Sequence, residues 1–243
     1  MAFDSFFHLM RGLQGKLNNS GLGNARSGQV PHQMAYIRNL QKERKQGNTL
    51  NVPLNQLQVV VLDIETTGFF PEQGDEIISI GAVKVVGSDI QQEQEFYSLI
   101  RYEQELSPEI THLTGITSHE LKEAPLLADV LIQFFTFSQN DTLVAHHSNH
   151  EKGFLQNASW KLFRAPFKHR IVDTSFLYRI AEPDTKLVKL DDFCEFNHIP
   201  IVNRHHALGD AKLTAQLWSL YIEKVQQLGC KTLHDVYERI AKM

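Results

Sequence analysis

The stretch VVVLDIE, residues 59–65, constrains the fold more than any other part of this 243-residue chain. Its opening run of apolar, mostly β-branched residues suits a strand buried on both faces. The run then closes on Asp63 and Glu65. A strand presents residues i and i+2 on one face, so both carboxylates point the same way. Two acids so placed repel each other unless something neutralises them. A divalent cation does this, because Mg²⁺ prefers hard oxygen ligands. The other reading is a strand end fraying into solvent with two ordinary surface acids.

The segments that follow predict a mixed α/β sheet. EIISIGAVKVV (residues 76–86) and FYSLI (96–100) read as two more strands, joined closely enough for a three-stranded antiparallel meander. LADVLIQFFTF (127–137) reads as a helix and TLVAHH as a fourth strand. NHEKGFLQNASWKLF has helical spacing, RIVDT reads as a fifth strand, and SFLYRIA and LDDFCEFN as short helices. A last long helix is expected from about Ala207 to Leu228, with Leu213, Leu217, Leu220, Tyr221, Val225 and Leu228 on its apolar face. Strands first, then alternating helix and strand, give a five-stranded mixed sheet flanked by helices.

Composition shifts near residue 55, so residues 1–54 are read as an N-terminal helical extension and 55–243 as the main domain. Phe3, Phe6, Phe7, Met10 and Leu13 form one helical stripe, and Met34, Ile37 and Leu40 a second after Pro31. This arm either packs on the domain or docks a partner. The apolar fraction of 42% supports a sizeable core, and no run reaches a membrane span. Two cysteines, Cys194 and Cys230, make no disulfide framework, and the expectation is a cytoplasmic protein with no membrane partner. A net charge of −4 excludes a protein that coats long nucleic acid through a basic excess.

Asp210 is expected in the first turns of the long helix, where the helix dipole alone can account for an acid. His205 precedes it by one short step, and a histidine near neutral pKa suits a general base; His206 competes for that role. Phosphodiester hydrolysis is served by two metals roughly 3.5–4 Å apart, held by carboxylates.

Taken together these segments resemble the DEDDh, or DnaQ-like, family of 3′–5′ exonucleases. LDIETTG (62–68) is similar to its first motif, THLTGIT (111–117) to its His-x-Thr-Gly-Ile-Thr segment, and LVAHHSNHEKGFL (143–155) to its second motif. DTSFLYRIA, from Asp173, and HHALGDAKLTAQL (205–217) complete the order. The resemblance covers roughly residues 58–222 and implies an RNase H-like fold. It implies two divalent ions, Mg²⁺ or Mn²⁺, held by Asp63, Glu65 and Asp210, with Asp63 bridging and His205 deprotonating the attacking water. Thr66 and nearby amides would hold the terminal nucleotide, and Phe69 or Phe70 would stack on a base or pack in the core.

One departure stands out. The family's second motif runs Ala-His-Asn-x-x-Phe-Asp, whereas here it reads Ala145, His146, His147, Ser148, Asn149, His150, Glu151. Glu151 keeps the charge of the fourth metal ligand but adds a methylene, and His147 (also a candidate substrate contact) or His150 could compensate. Otherwise Glu151 is a surface helical glutamate. Asp173 reads as a helix cap and Asp141 as a turn residue.

The expected activity is a two-metal 3′–5′ exonuclease acting on single-stranded DNA. Its alternatives are a degenerate member that binds nucleic acid or a polymerase without cutting, and an RNA-trimming or oligonucleotide-degrading exoribonuclease. The polymerase-binding tail of the family's proofreading subunits finds no counterpart after the long helix, which leaves the N-terminal arm for a polymerase or other protein partner.

Overall fold

The computed structural model describes residues 49–243; the expected N-terminal helical arm lies outside the described residues. Five strands form one sheet: β1 (Gln58–Thr66), β2 (Ile77–Val86), β3 (Asp89–Leu99), β4 (Thr142–Ala145) and β5 (Ile171–Asp173). Their order is β3-β2-β1-β4-β5. The β1–β2 and β2–β3 pairs are antiparallel, and the β1–β4 and β4–β5 pairs parallel. This is the expected RNase H-like mixed sheet. β3 begins earlier than the apolar FYSLI stretch suggests, because its polar first half pairs along the edge of β2.

The helices are α1 (Pro108–Thr114), α2 (Ser118–Glu123), α3 (Leu127–Ser138), α4 (Asn149–Phe163), α5 (Ser175–Ala181), α6 (Leu190–Phe196), α7 (Ala207–Gln227) and α8 (Leu233–Ala241). Helices α1, α2 and α8 were not legible as such in the sequence. The first two are short and cap-driven: Ser107 accepts the Ile110 N–H, and Thr117 with Glu120 forms a reciprocal capping box. Another capping box, Thr232 with Asp235, opens α8.

Alternation along β1 divides the core. Val60, Leu62 and Ile64 pack with α3 and α4 on one face. Val59 and Val61 pack with α5, α6, α7 and α8 on the other. Asp63 and Glu65 continue the Val59–Val61 side, so they emerge on the face covered by α7. Along α7, Leu213, Leu217, Tyr221 and Val225 are buried as expected, Leu220 is partly buried, and Leu228 is exposed at the helix end.

Residues ahead of β1 join the same core. Leu54 is fully buried, its N–H donates to the Lys231 carbonyl at 2.8 Å, and Pro53 bridges to Thr232. Among the described residues, no helix is long and apolar enough to cross a membrane. Cys194 and Cys230 are both free and buried.

Candidate active site

The carboxylates meet where β1 runs out under the first turn of α7. Gly81 of β2 lies directly opposite Asp63 in the strand register. A Cβ at Gly81 would lie 2.1 Å from the Leu208 backbone nitrogen, so only glycine lets α7 settle this close to the sheet. That approach brings Asp210, itself buried, over the strand end. Oxygens of Asp63, Glu65 and Asp210 all lie within 4.8 Å of one another. The surface reading of the Asp63–Glu65 pair therefore does not hold, and the three acids share one small volume.

Their electrostatics reflect the crowding. Burial first, then the charges of Glu151, Glu65 and Asp210, hold the Asp63 carboxyl well above the usual range. Burial and the Asp210 charge push Glu65 up to about 8, and burial pushes Asp210 up to about 6. Asp210 directs Oδ2 to the Arg204 guanidinium and to the His205 backbone N–H at 3.2 Å. Its Oδ1 is buried without a hydrogen-bond partner. A set of hard oxygens, mutually repelling and with one buried oxygen unpartnered, fits a divalent cation of the Mg²⁺ or Mn²⁺ type.

Glu151, in the first turn of α4, is buried with 3% of its surface exposed. It is thus no surface glutamate. Burial is the main reason its carboxyl is raised to about 8, and Oε2 has no partner. Its charge is the largest influence on Asp63 after burial. It nevertheless stands apart from the tight triad, whose oxygens do not all come within 4.8 Å of it. Asp173 holds the loop that leads to it: one carboxylate oxygen accepts the Ser148 N–H and the other the Ser175 N–H, each at 2.8 Å. Thr174 is the N-cap of α5, so Asp173 supports the helix start from one residue before the cap. Asp141 pairs with Lys84 at 3.3 Å, away from the acids.

His205 sits on the α6–α7 loop in left-handed backbone, with φ 60°, as does Asn203 with φ 53°. Its Nδ1 lies 3.3 Å from Arg204 Nη1. Burial, then Arg204, lowers the imidazole pKa below its usual value. His206 serves the helix instead: its Nδ1 accepts the Gly209 N–H at 3.4 Å, and its ring stacks on Tyr97 at 4.4 Å.

Neither His147 nor His150 joins the carboxylate triad. His147, left-handed at φ 57°, and His146 both donate from Nε2 to the Val188 carbonyl, at 2.8 and 2.9 Å. These bonds tie the second-motif loop to the α5–α6 connection. His150 faces Thr66, whose Oγ1 is 3.4 Å from Nε2, and its ring lies 6.0 Å from that of Phe69. Phe69 and Phe70 are 78% and 52% exposed, so neither belongs to the core. Their loop is pinned by Asp75, which accepts the Phe70 N–H at 2.8 Å. Sequence reasoning missed Arg204, because a lone arginine beside two histidines carries no motif.

The raised carboxylates make stability depend on pH in a defined direction. Between the ordinary values near 4 and the folded values of about 6 (Asp210) and about 8 (Glu65, Glu151), the native state holds more protons than the unfolded one. Stability is therefore lost as pH rises through that window. In chelator, the melting temperature is expected to fall from about pH 5 to about pH 8, and Mn²⁺ or Mg²⁺ to restore it most at the upper end. Thermal scans with and without metal check this; a metal response as large at pH 5 as at pH 8 contradicts it.

The RNase_T exonuclease family model matches residues 60–218. DNA polymerase III PolC-type of Caldanaerobacter subterraneus subsp. tengcongensis is 36% identical over 179 residues, covering 74% of this chain and 12% of that protein. The 3′–5′ exonuclease DinG of Staphylococcus epidermidis is 34% identical over 178 residues, covering 73% of this chain and 19% of that protein. The chain thus spans less than a fifth of the length of these relatives. Among solved structures, the nuclease domain of 3′hExo, a DEDDh family member bound to rAMP, superimposes with a TM-score of 0.60. It is 24% identical, with 72% of this chain and 94% of that one covered.

Proposed function

This chain belongs to the RNase_T exonuclease family, as a DnaQ-like member of its DEDDh type, and from that premise we propose that it trims single-stranded DNA from the 3′ end using two divalent ions. The observation that carries this reading is the convergence of Asp63, Glu65 and Asp210, with the unpartnered Asp210 Oδ1 among them. Asp63, Glu65 and Asp210 would hold one ion, and Asp63 and Glu151 the second. Bound ions supply an activated water and charge stabilisation at phosphorus and the leaving oxygen.

The remaining work falls to the protein's own side chains. His205, neutral at pH 7 because its pKa is lowered, takes the proton from the attacking water. The exposed Phe69 ring offers a stacking surface for the terminal base, and Thr66 closes β1 three residues before it. Thr66 Oγ1 already donates to the Gly68 carbonyl at 2.6 Å, which fixes the hydroxyl at the mouth of the site. His147, on the second-motif loop, would be a further contact to the nucleotide. DNA is favoured over RNA because the relatives include DNA polymerases. A polymerase is the protein partner this points to, and the N-terminal arm remains the segment proposed to dock it.

The test uses a 5′-labelled single strand, as DNA and as matched RNA, with Mg²⁺ or Mn²⁺. The expected result is a ladder of shortening DNA products with release of mononucleotides. Faster loss of RNA would move the reading to an exoribonuclease. An inert preparation on both substrates with both metals would leave a nucleic-acid-binding module without catalysis.

A further inference from the structure

Arg204 stands in the middle of the site although nothing in the reaction outlined above uses it. Its Nε donates to Asp191 Oδ1 of α6 at 2.5 Å, and its Nη1 pairs with Asp210 Oδ2. The same Nη1 lies 3.3 Å from His205 Nδ1. A guanidinium keeps its charge at any pH of interest and can only donate. His205 Nδ1 must then be the acceptor, which leaves the ring proton on Nε2 and no free lone pair for a water. One cation therefore occupies both a carboxylate of the triad and the basic nitrogen beside it.

We infer that Arg204 is the resident counter-cation of the site, guarding Asp210 and His205 when no ion is bound and retiring onto Asp191 when a divalent cation enters. The inference rests on the metal-dependent reading above. It accounts for the close approach of the three acids, since Arg204 opposes the repulsion felt by Asp63, Glu65 and Asp210. It also gives Asp191 a purpose: a half-exposed carboxylate just outside the triad, able to keep the guanidinium after Asp210 is taken. Asp210 does not need Arg204 for its orientation, because the His205 backbone N–H still holds Oδ2. Removing the guanidinium thus removes charge from the ion's position more than it disturbs the ligand.

Mn²⁺ titrations followed by electron paramagnetic resonance test this without reference to turnover. Arg204→Gln is expected to bind Mn²⁺ about tenfold more tightly than the unaltered chain, because a positive charge at contact distance opposes a divalent ion. Arg204→Lys keeps the charge and is expected to stay within about threefold of the unaltered chain. Asp191→Asn takes away the retreat and should weaken binding severalfold, but should have little effect in the Arg204→Gln background. Nitrogen NMR of the metal-free chain should show His205 protonated at Nε2, with that preference lost in Arg204→Gln. Unchanged or weaker Mn²⁺ binding by Arg204→Gln would overturn the inference while leaving the metal reading intact. Failure of every form, including the unaltered chain, to bind Mn²⁺ would overturn the metal reading and this inference with it. These signs differ between variants, so general loss of folding cannot imitate them.

Discussion

His205→Ala is expected to slow nucleotide release by about 10²–10⁴, the usual contribution of a positioned general base, with little change in KM. Three observations single out this imidazole. Its pKa is lowered by burial and by Arg204, so the ring is neutral near pH 7 and can accept a proton once Arg204 releases Nδ1. Its backbone N–H is bonded to Asp210, so the ring is carried by the same loop that holds a carboxylate of the triad. Its left-handed φ turns that loop back over the start of α7. The adjacent His206 is the control. It caps α7 and stacks on Tyr97, so His206→Ala should cost about 1 kcal/mol of stability and only a modest part of the rate. Single-turnover measurements separate the two. A larger chemical defect in His206→Ala than in His205→Ala would assign the base to the wrong ring. Because alanine tolerates the left-handed backbone poorly, His205→Asn, which tolerates it better, should show the same loss.

Much of this architecture could be read from the chain, for an identifiable reason. The β1 run is apolar on both faces and turns acidic on one of them, so strand, burial and site are encoded in seven residues, 59–65. The long α7 stripe repeats with helical period and is found where expected. What escaped had no such periodicity. Helices α1 and α2 are shorter than two full turns and depend on Ser107 and Thr117 caps rather than on an amphipathic stripe. Edge pairing of the polar half of β3 is settled by its partner β2, not by its own residues. At the site, Asp63, Glu65 and Asp210 each had an ordinary use at a strand end or a helix start, and it was the order of motifs along the chain, not any one of them, that grouped them. Gly81 and Arg204 carried no such signal. One acts by lacking a side chain at the crossing of β2 and α7, the other through contacts with Asp191 and Asp210 that only the folded loop creates.

Glu151 separates stability from catalysis most sharply. Glu151→Gln preserves shape while removing the charge, and it is expected to reduce activity by about 100-fold or more, as loss of a correctly placed charged group does. Glu151→Ala should abolish activity, whereas Glu151→Asp, which keeps the charge and restores the residue of the family motif, should retain it. The same Gln substitution should make the metal-free protein more stable. Glu151 is buried, its Oε2 is unpartnered, and its charge is a leading cause of the raised Asp63 pKa. Removing that charge relieves repulsion without opening a cavity, and a gain of about 1 kcal/mol corresponds to roughly 2–4 °C in melting temperature for a chain of this size. The sign depends on pH. With a folded pKa of about 8, Glu151 is already protonated near pH 5, so the gain should vanish there and grow toward pH 8 and above. A glutamate kept only for packing would still show the stability gain, since burial is the main cause of its raised pKa, but its Gln variant would retain activity. A charge that destabilises the resting protein yet is needed for turnover is what a site held open for a cation requires, since the ion itself resolves the repulsion when it binds.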